Sequence, residues 1–258
     1  MKRRIPAAAV FLALAAVVAV PEPPRPERAP DVWEQDLADI DIAALSPGEW
    51  AEYEMTGPDW PAAGNRRPVR RLACVDADAE LAWIEITVRN GGPGLDGGVL
   101  ALGVRKKDRH VEKAFWSRGG AEAAPVPVRE GRAGGAALPG GSVPNVTGTG
   151  TVSKEKIKAG SSTLDCEKVE LETLVTVNCC ESKCRTTTWV SEKVPFRVWA
   201  EDPPRVEGIP AEIQWVARPT VRGGLVKRSV FRDNATTTAV LVRWGTDAKE
   251  TLKRPDAK

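Results

Sequence analysis

The sequence predicts a mainly β (α+β) protein: one large antiparallel curved sheet or half-barrel, with one or two short helices. Three observations lead there. Apolar and polar residues alternate along most of the 258-residue chain, the period of a strand with one buried face. Clusters of turn-forming residues separate the alternating runs at hairpin spacing. No stretch shows the rhythm of strands alternating with long helical patterns, which argues against a parallel βαβ sheet. The balance of 42% apolar and 28% charged residues is that of a globular chain and excludes disorder throughout.

The first element is a signal. Lys2, Arg3 and Arg4 form a basic start, Ile5 to Val18 an apolar run, and Val17-Val18-Ala19 a small-residue cleavage pattern. Residues 1–19 are therefore expected to be removed on export, to a periplasmic or secreted location. The run is short for a spanning helix of about 20 residues, so no integral membrane span is expected after cleavage. No cysteine follows the run, which argues against a lipid-anchored lipoprotein. The formal net charge is +2, and the three basic residues of the signal exceed it. Composition thus offers no case for a nucleic-acid partner.

Residues 20–30 (VPEPPRPERAP) read as an extended Pro-rich linker. A single antiparallel β domain is expected over 31–246. It opens with a short helix: Asp31 and Glu34 have capping-box spacing, and Trp33, Leu37, Ile40 and Ala44 share one helical face. Ser46-Pro47-Gly48 ends that helix. Strands are then expected at 50–55, 69–75, 81–88, 99–104 and 109–116, with turns at Asp76-Ala77-Asp78 and Lys106-Lys107-Asp108. Residues 117–145 are rich in Gly, Ala and Pro and read as a surface excursion with one short strand at 126–128. Long strands follow at 146–157, 163–177 and 185–191, and a last hairpin at 225–231 and 236–244 turns at Asp233-Asn234. Residues 247–258 form a charged tail expected to fray.

Five cysteines punctuate this pattern: Cys74, Cys166, Cys179, Cys180 and Cys184. In an exported chain disulfides are the default, and all five are candidates. Cys184 is expected to close a small loop with Cys180 or Cys179, while Cys74 and Cys166 stand where they could join distant strands. Adjacent ligands with no second separated pair fit tetrahedral zinc poorly, so no metal site is expected. The Cys180–Cys184 spacing is not that of a redox pair.

The chain has one histidine, His110, which excludes mechanisms that need two. No serine sits in G-x-S-x-G and no H-E-x-x-H is present. The Gly-rich stretch 91–98 lacks a P-loop lysine and leads into no helix. The acidic clusters Asp36, Asp39, Asp41 and Asp76, Asp78, Glu80 are explained by helix solvation and turn chemistry. No catalytic residue and no cofactor is nominated. By alternation, Tyr53, Met55, Ile84, Ile86, Val175 and Val177 point to one side of the sheet and are the candidates for lining a ligand cavity, together with Trp199 and Trp215. The alternative for these residues is a filled core.

Two stretches resemble a known style. One is Gly48-Glu49-Trp50-Ala51-Glu52-Tyr53-Glu54 followed by Trp83-Ile84-Glu85-Ile86. The other is Ala159-Gly160, a strand, Trp189-Val190-Ser191-Glu192-Lys193-Val194-Pro195-Phe196, and later Gly224-Leu225-Val226-Lys227. Both resemble uncharacterised exported bacterial proteins related to the LolA-like, half-open β-barrel lipoprotein carriers. The resemblance implies a sheet curled around a helix or a greasy cavity, a lipid or lipoprotein ligand, and no catalytic residues. In that pattern the Val-Pro stretch runs almost directly into Gly-Leu-Val-Lys. Here residues 197–222 intervene, with Trp199, Ile213 and Trp215 too apolar for a solvated loop. They are expected as a flap over the sheet or as a pair of added edge strands. The leading function is a non-enzymatic envelope protein that binds an apolar ligand. The alternative is a structural or assembly factor that uses the sheet to bind an envelope protein, and a hydrolase ranks third.

Overall fold

The structure, a computed structural model, describes residues 32–33, 40–58, 60, 62, 64–91, 97–118, 122–129, 145–177, 180–197, 217, 219–232 and 234–254. The signal, the linker and residues 198–216 lie outside these. In chain order the elements are β1 (Val32–Trp33), a 3₁₀ turn (Ile42–Ala44), β2 (Trp50–Thr56), β3 (Val69–Ala77), β4 (Leu81–Arg89), β5 (Gly98–Arg105) and β6 (Val111–Arg118). There follow β7 (Ala124–Pro125), β8 (Val128–Arg129), β9 (Asn145–Ala159), β10 (Ser162–Val177), β11 (Cys180–Ser191), β12 (Gly224–Arg232) and β13 (Ala235–Gly245).

Eleven strands form one antiparallel sheet in the order β7-β6-β5-β4-β3-β2-β13-β12-β11-β10-β9. Nearly every neighbour is a hairpin partner in sequence. The exception is β2 beside β13, which joins the two hairpin series across 182 residues, with the Thr56 and Thr238 hydroxyls hydrogen-bonded at the seam. The sheet curls on itself. Gly160, at the β9–β10 turn with φ +54°, sits so close to β13 that a Cβ there would lie 2.5 Å from the Val242 carbonyl oxygen. A left-handed φ and that approach both call for glycine. Val242 itself is bulged out of the β13–β2 ladder, and such a bulge sharpens the bend.

Alternation fills the core face. Ala51, Tyr53 and Met55 of β2, Ile84 and Ile86 of β4 and Leu102 of β5 all point into one cluster. Two non-strand segments lie against it: Ile40, Ile42 and Leu45 from the 3₁₀ turn, and Val194 and Phe196 from the stretch after β11. They are tied together where the Asp41 N–H donates to the Arg197 carbonyl at 3.2 Å. Phe196, Ile42 and Ile84 are fully buried. Burying apolar side chains in this way is the main stabilising force of such a sheet.

Several expectations are corrected. No helix forms at 32–33: β1 pairs in parallel with β8, Val32 opposite Val128 and Trp33 opposite Arg129. Residues 34–39 fall outside the described residues, and among the described residues after them only the short turn Ile42–Ala44 is helical. Here Ile40 and Ile42 alternate inward, so packing against the sheet overrides helical periodicity. β6 begins at Val111, because Arg109 takes φ +62° and its N–H closes on the Arg105 carbonyl in the turn. The tail does not fray up to Arg254. Leu252 is buried against Ala101, Phe115 and Ala123 on the outer face of the sheet, opposite the main core.

No disulfide joins the cysteines whose side chains are described. Cys74, Cys166 and Cys184 are free thiols. Cys180 and Cys184 stand four residues apart on one extended strand, about 13 Å between Cα atoms, twice what a disulfide spans. Cys184 Sγ lies 3.9 Å from Thr186 Oγ1 instead. Cys74 and Cys166 sit on β3 and β10, with β2, β13, β12 and β11 between them in the sheet order. Cys179 and the side chain of Cys180 lie outside the described residues.

Candidate functional site

The described surface carries a cleft of about 630 Å³ at the curled end of the sheet. Its walls are β9 and β10, the turn after β11 and the approach to β12: Lys154, Lys156, Cys166, Ser191, Lys193 and Val221 line it beside Glu155, Asp165, Glu167 and Glu192. The register explains the grouping. Lys154 stands opposite Glu167, Glu155 opposite Cys166 and Lys156 opposite Asp165. Cross-strand neighbours sit only about 5 Å apart, so two strands suffice to place opposite charges side by side.

The two walls nearest the core are held by carboxylates engaged with protein donors. Glu155 accepts from Trp189 Nε1 at 2.8 Å, and the Lys168 and Lys227 ammonium groups lie 5.7 and 4.7 Å from the Trp189 ring centre. Glu167 accepts from the Thr220 N–H and hydroxyl, both at 2.6 Å, and from the Val221 N–H at 3.1 Å. Burial works to raise the Glu167 pKa, but these donors outweigh it and hold the carboxyl below the usual carboxylate range. The Glu167 side chain thereby fixes the returning end of the 197–222 stretch on β10. The start of that stretch is fixed as well, by the Arg197–Gly224 bridge.

Cys166 is a poor nucleophile. Burial pushes its thiol up to about 11, and Sγ donates to the Leu164 carbonyl at 3.5 Å. The Asp165 carboxylate lies 3.8 Å from Lys156 Nζ, both largely exposed, a pair worth little in water. Three lysines and four carboxylates thus line the cleft together with Cys166 and Val221. Such a cleft, with apolar and charged groups side by side, suits an amphipathic ligand. Among the described residues no group of three or more His, Cys, Asp and Glu is placed to hold a metal ion.

The residues nominated from sequence fall in three places. Tyr53, Met55, Ile84 and Ile86 come together, each no more than 8% exposed and packed in the main core. Burial drives the Tyr53 hydroxyl pKa far up. Val175 and Val177 lie at the far end of β10, opposite Ser182 and Cys180, six and eight residues along the strand from the buried Val169. Trp199 and Trp215 lie outside the described residues. His110 precedes β6, where its carbonyl accepts from the Arg105 N–H in the β5–β6 turn. The cleft residues Lys154, Glu155, Glu167 and Val221 were not singled out from sequence. The signal available was the Lys-Glu-Lys alternation of 154–156, which by itself reads as a solvated strand face.

No family model and no curated protein matches this chain. Among solved structures it is similar to a proposed lipoprotein from Parabacteroides distasonis, with 12% identity over 80% of this chain and 99% of that chain and a TM-score of 0.35. It is also similar to LprF from Mycobacterium bovis, with 16% identity over 86% of this chain and 96% of that chain and a TM-score of 0.32. Neither likeness, at such identity and superposition, bears on what the chain binds or does.

Proposed function

We propose that the protein is an exported, non-enzymatic envelope protein that holds a lipid or lipoprotein acyl chain at the cleft between β9, β10 and the 191–193 turn. The observation that supports this reading is the cleft itself. Its volume of about 630 Å³ falls within the range of small-molecule sites, and Cys166 and Val221 line it beside charged side chains of both signs. The core residues Tyr53, Met55, Ile84 and Ile86 then act as the rigid wall behind the site rather than as its lining.

A second reading is an assembly factor that adds a partner's strand to the sheet. One observation favours it. Among the described residues nothing pairs with the outer edge of β9, and Asn145–Ser153 is uncharged there, while Lys154, Lys156 and Lys158 guard only the remainder.

Titration of the purified chain with a fluorescent long-chain fatty acid separates the two. Saturable one-to-one binding that weakens about tenfold or more in Val221→Trp, with the far-UV spectrum unchanged, supports the lipid site. Absence of saturable binding, or binding indifferent to Val221→Trp, overturns it. A protein partner seen by native mass spectrometry, without bound lipid, supports the second reading.

A further inference from the structure

The outer face of β4–β6 is covered by the segment after β13. At its centre is Glu85, a carboxylate only 3% exposed beneath Thr251 and Leu252, on a face that also carries Trp83, Ala101 and Phe115. No cation among the described residues forms a salt bridge with it. Its partners are all from the segment after β13. The Thr251 N–H donates to both oxygens at 2.9 and 3.1 Å, the Thr251 hydroxyl donates to Oε2, and the Leu252 N–H donates to Oε1 at 2.9 Å. Leu252 fills the apolar hollow between Ala101, Phe115 and Ala123. Two residues on, the Arg254 guanidinium lies 4.3 Å from the Trp83 ring centre, and its Nη2 reaches Asp76 Oδ2 at 3.2 Å. The Trp83 ring stacks in turn on Phe115, with centroids 6.1 Å apart.

This is the division of labour of a peptide site. Successive backbone N–H groups are read by a buried acceptor, one side chain enters an apolar pocket, and a cation stacks on an aromatic ring. The ladders that pair β4–β6 do not involve this segment. Covering a carboxylate is costly unless donors meet it, so any segment that lies over Glu85 must supply them, as Thr251 and Leu252 do.

We infer that the outer groove of β4–β6 is a binding site for an extended peptide with the pattern Ser/Thr-Leu-x-Arg, and that residues 251–254 of this chain occupy it in cis. Lys253, the x of the pattern, points to solvent and is not read.

The test uses the full chain with its own occupant weakened, Thr251→Ala together with Leu252→Ala, and a fluorescein-labelled peptide of residues 247–254. Fluorescence anisotropy should show saturable binding to this variant and binding at least about tenfold weaker to the wild type, whose groove is filled. Adding Glu85→Gln should cost about tenfold or more. A peptide with Lys253→Ala should bind unchanged, and one with Leu252→Asp should not bind. If the double variant loses its near-UV spectrum, Thr251→Ala alone serves, since it keeps the leucine anchor. No binding to a folded variant, or equal binding of the Leu252→Asp peptide, overturns the inference.

Discussion

Replacing Phe196 by alanine tests whether the core face of the sheet is filled or hollow. Phe196 is fully buried and belongs to the cluster that holds Ile42, Tyr53 and Ile84. The substitution removes about 150 Å² of buried apolar surface, which at about 25 cal/mol per Å² is about 4 kcal/mol. The neighbours cannot easily collapse into the space. The backbone carries Phe196 in a narrow slot, where even a Cβ on Gly224 would lie 2.5 Å from the Phe196 carbonyl oxygen. The expected loss is therefore about 3–5 kcal/mol, and the melting temperature should fall by roughly 6–20 °C for a domain of this size. Urea unfolding followed by tryptophan fluorescence reads this directly, and the slope with denaturant should not change. The hole should bind benzene and recover part of the stability, as dry apolar cavities do. A loss below about 1.5 kcal/mol with an unchanged slope would refute the packing account, because a side chain bordering an open cavity leaves little behind when it is removed.

Three further outcomes follow from the geometry. Gly103→Ala should destabilise by about 1–2 kcal/mol by thermal unfolding, because the new Cβ would meet the Trp83 ring at 3.0–3.2 Å; no measurable loss would show that the ring has room to move. Glu167 is held below its ordinary pKa, so its contribution is present at neutral pH and disappears as pH falls through the lowered value. Glu167→Gln should flatten the acid limb of the stability curve and speed hydrogen exchange at Thr220 and Val221; an unchanged acid limb would refute the role of that carboxylate. Burial raises the thiols of Cys74 and Cys166 to about 11, so at pH 8 the half-buried Cys184 should alkylate well before either, as read by peptide mass mapping.

Much of the fold is visible in the residues themselves. The alternation of Ala51, Tyr53 and Met55, of Ile84 and Ile86, and of Trp83 and Glu85 on the opposite face is local information, and the strands form where it places them. The hairpin turns are equally local, since Asn234 can hold a positive φ that most residues resist. What alternation does not state is which distant face an apolar row meets. The seam between β2 and β13, the two segments that plug the core face and the burial of four nominated cavity residues all depend on contacts far apart in sequence. The cleft has the same origin: Lys154, Cys166, Lys193 and Val221 meet through the pairing of β9 with β10 and the return of the chain towards β12. The segment after β13 shows the limit most plainly. By composition it is a solvated tail with a single leucine, and by composition Glu85 is a strand residue facing water. Only the tertiary structure sets the one against the other, because the cost of burying a carboxylate and the donors that offset it lie 166 residues apart in the chain.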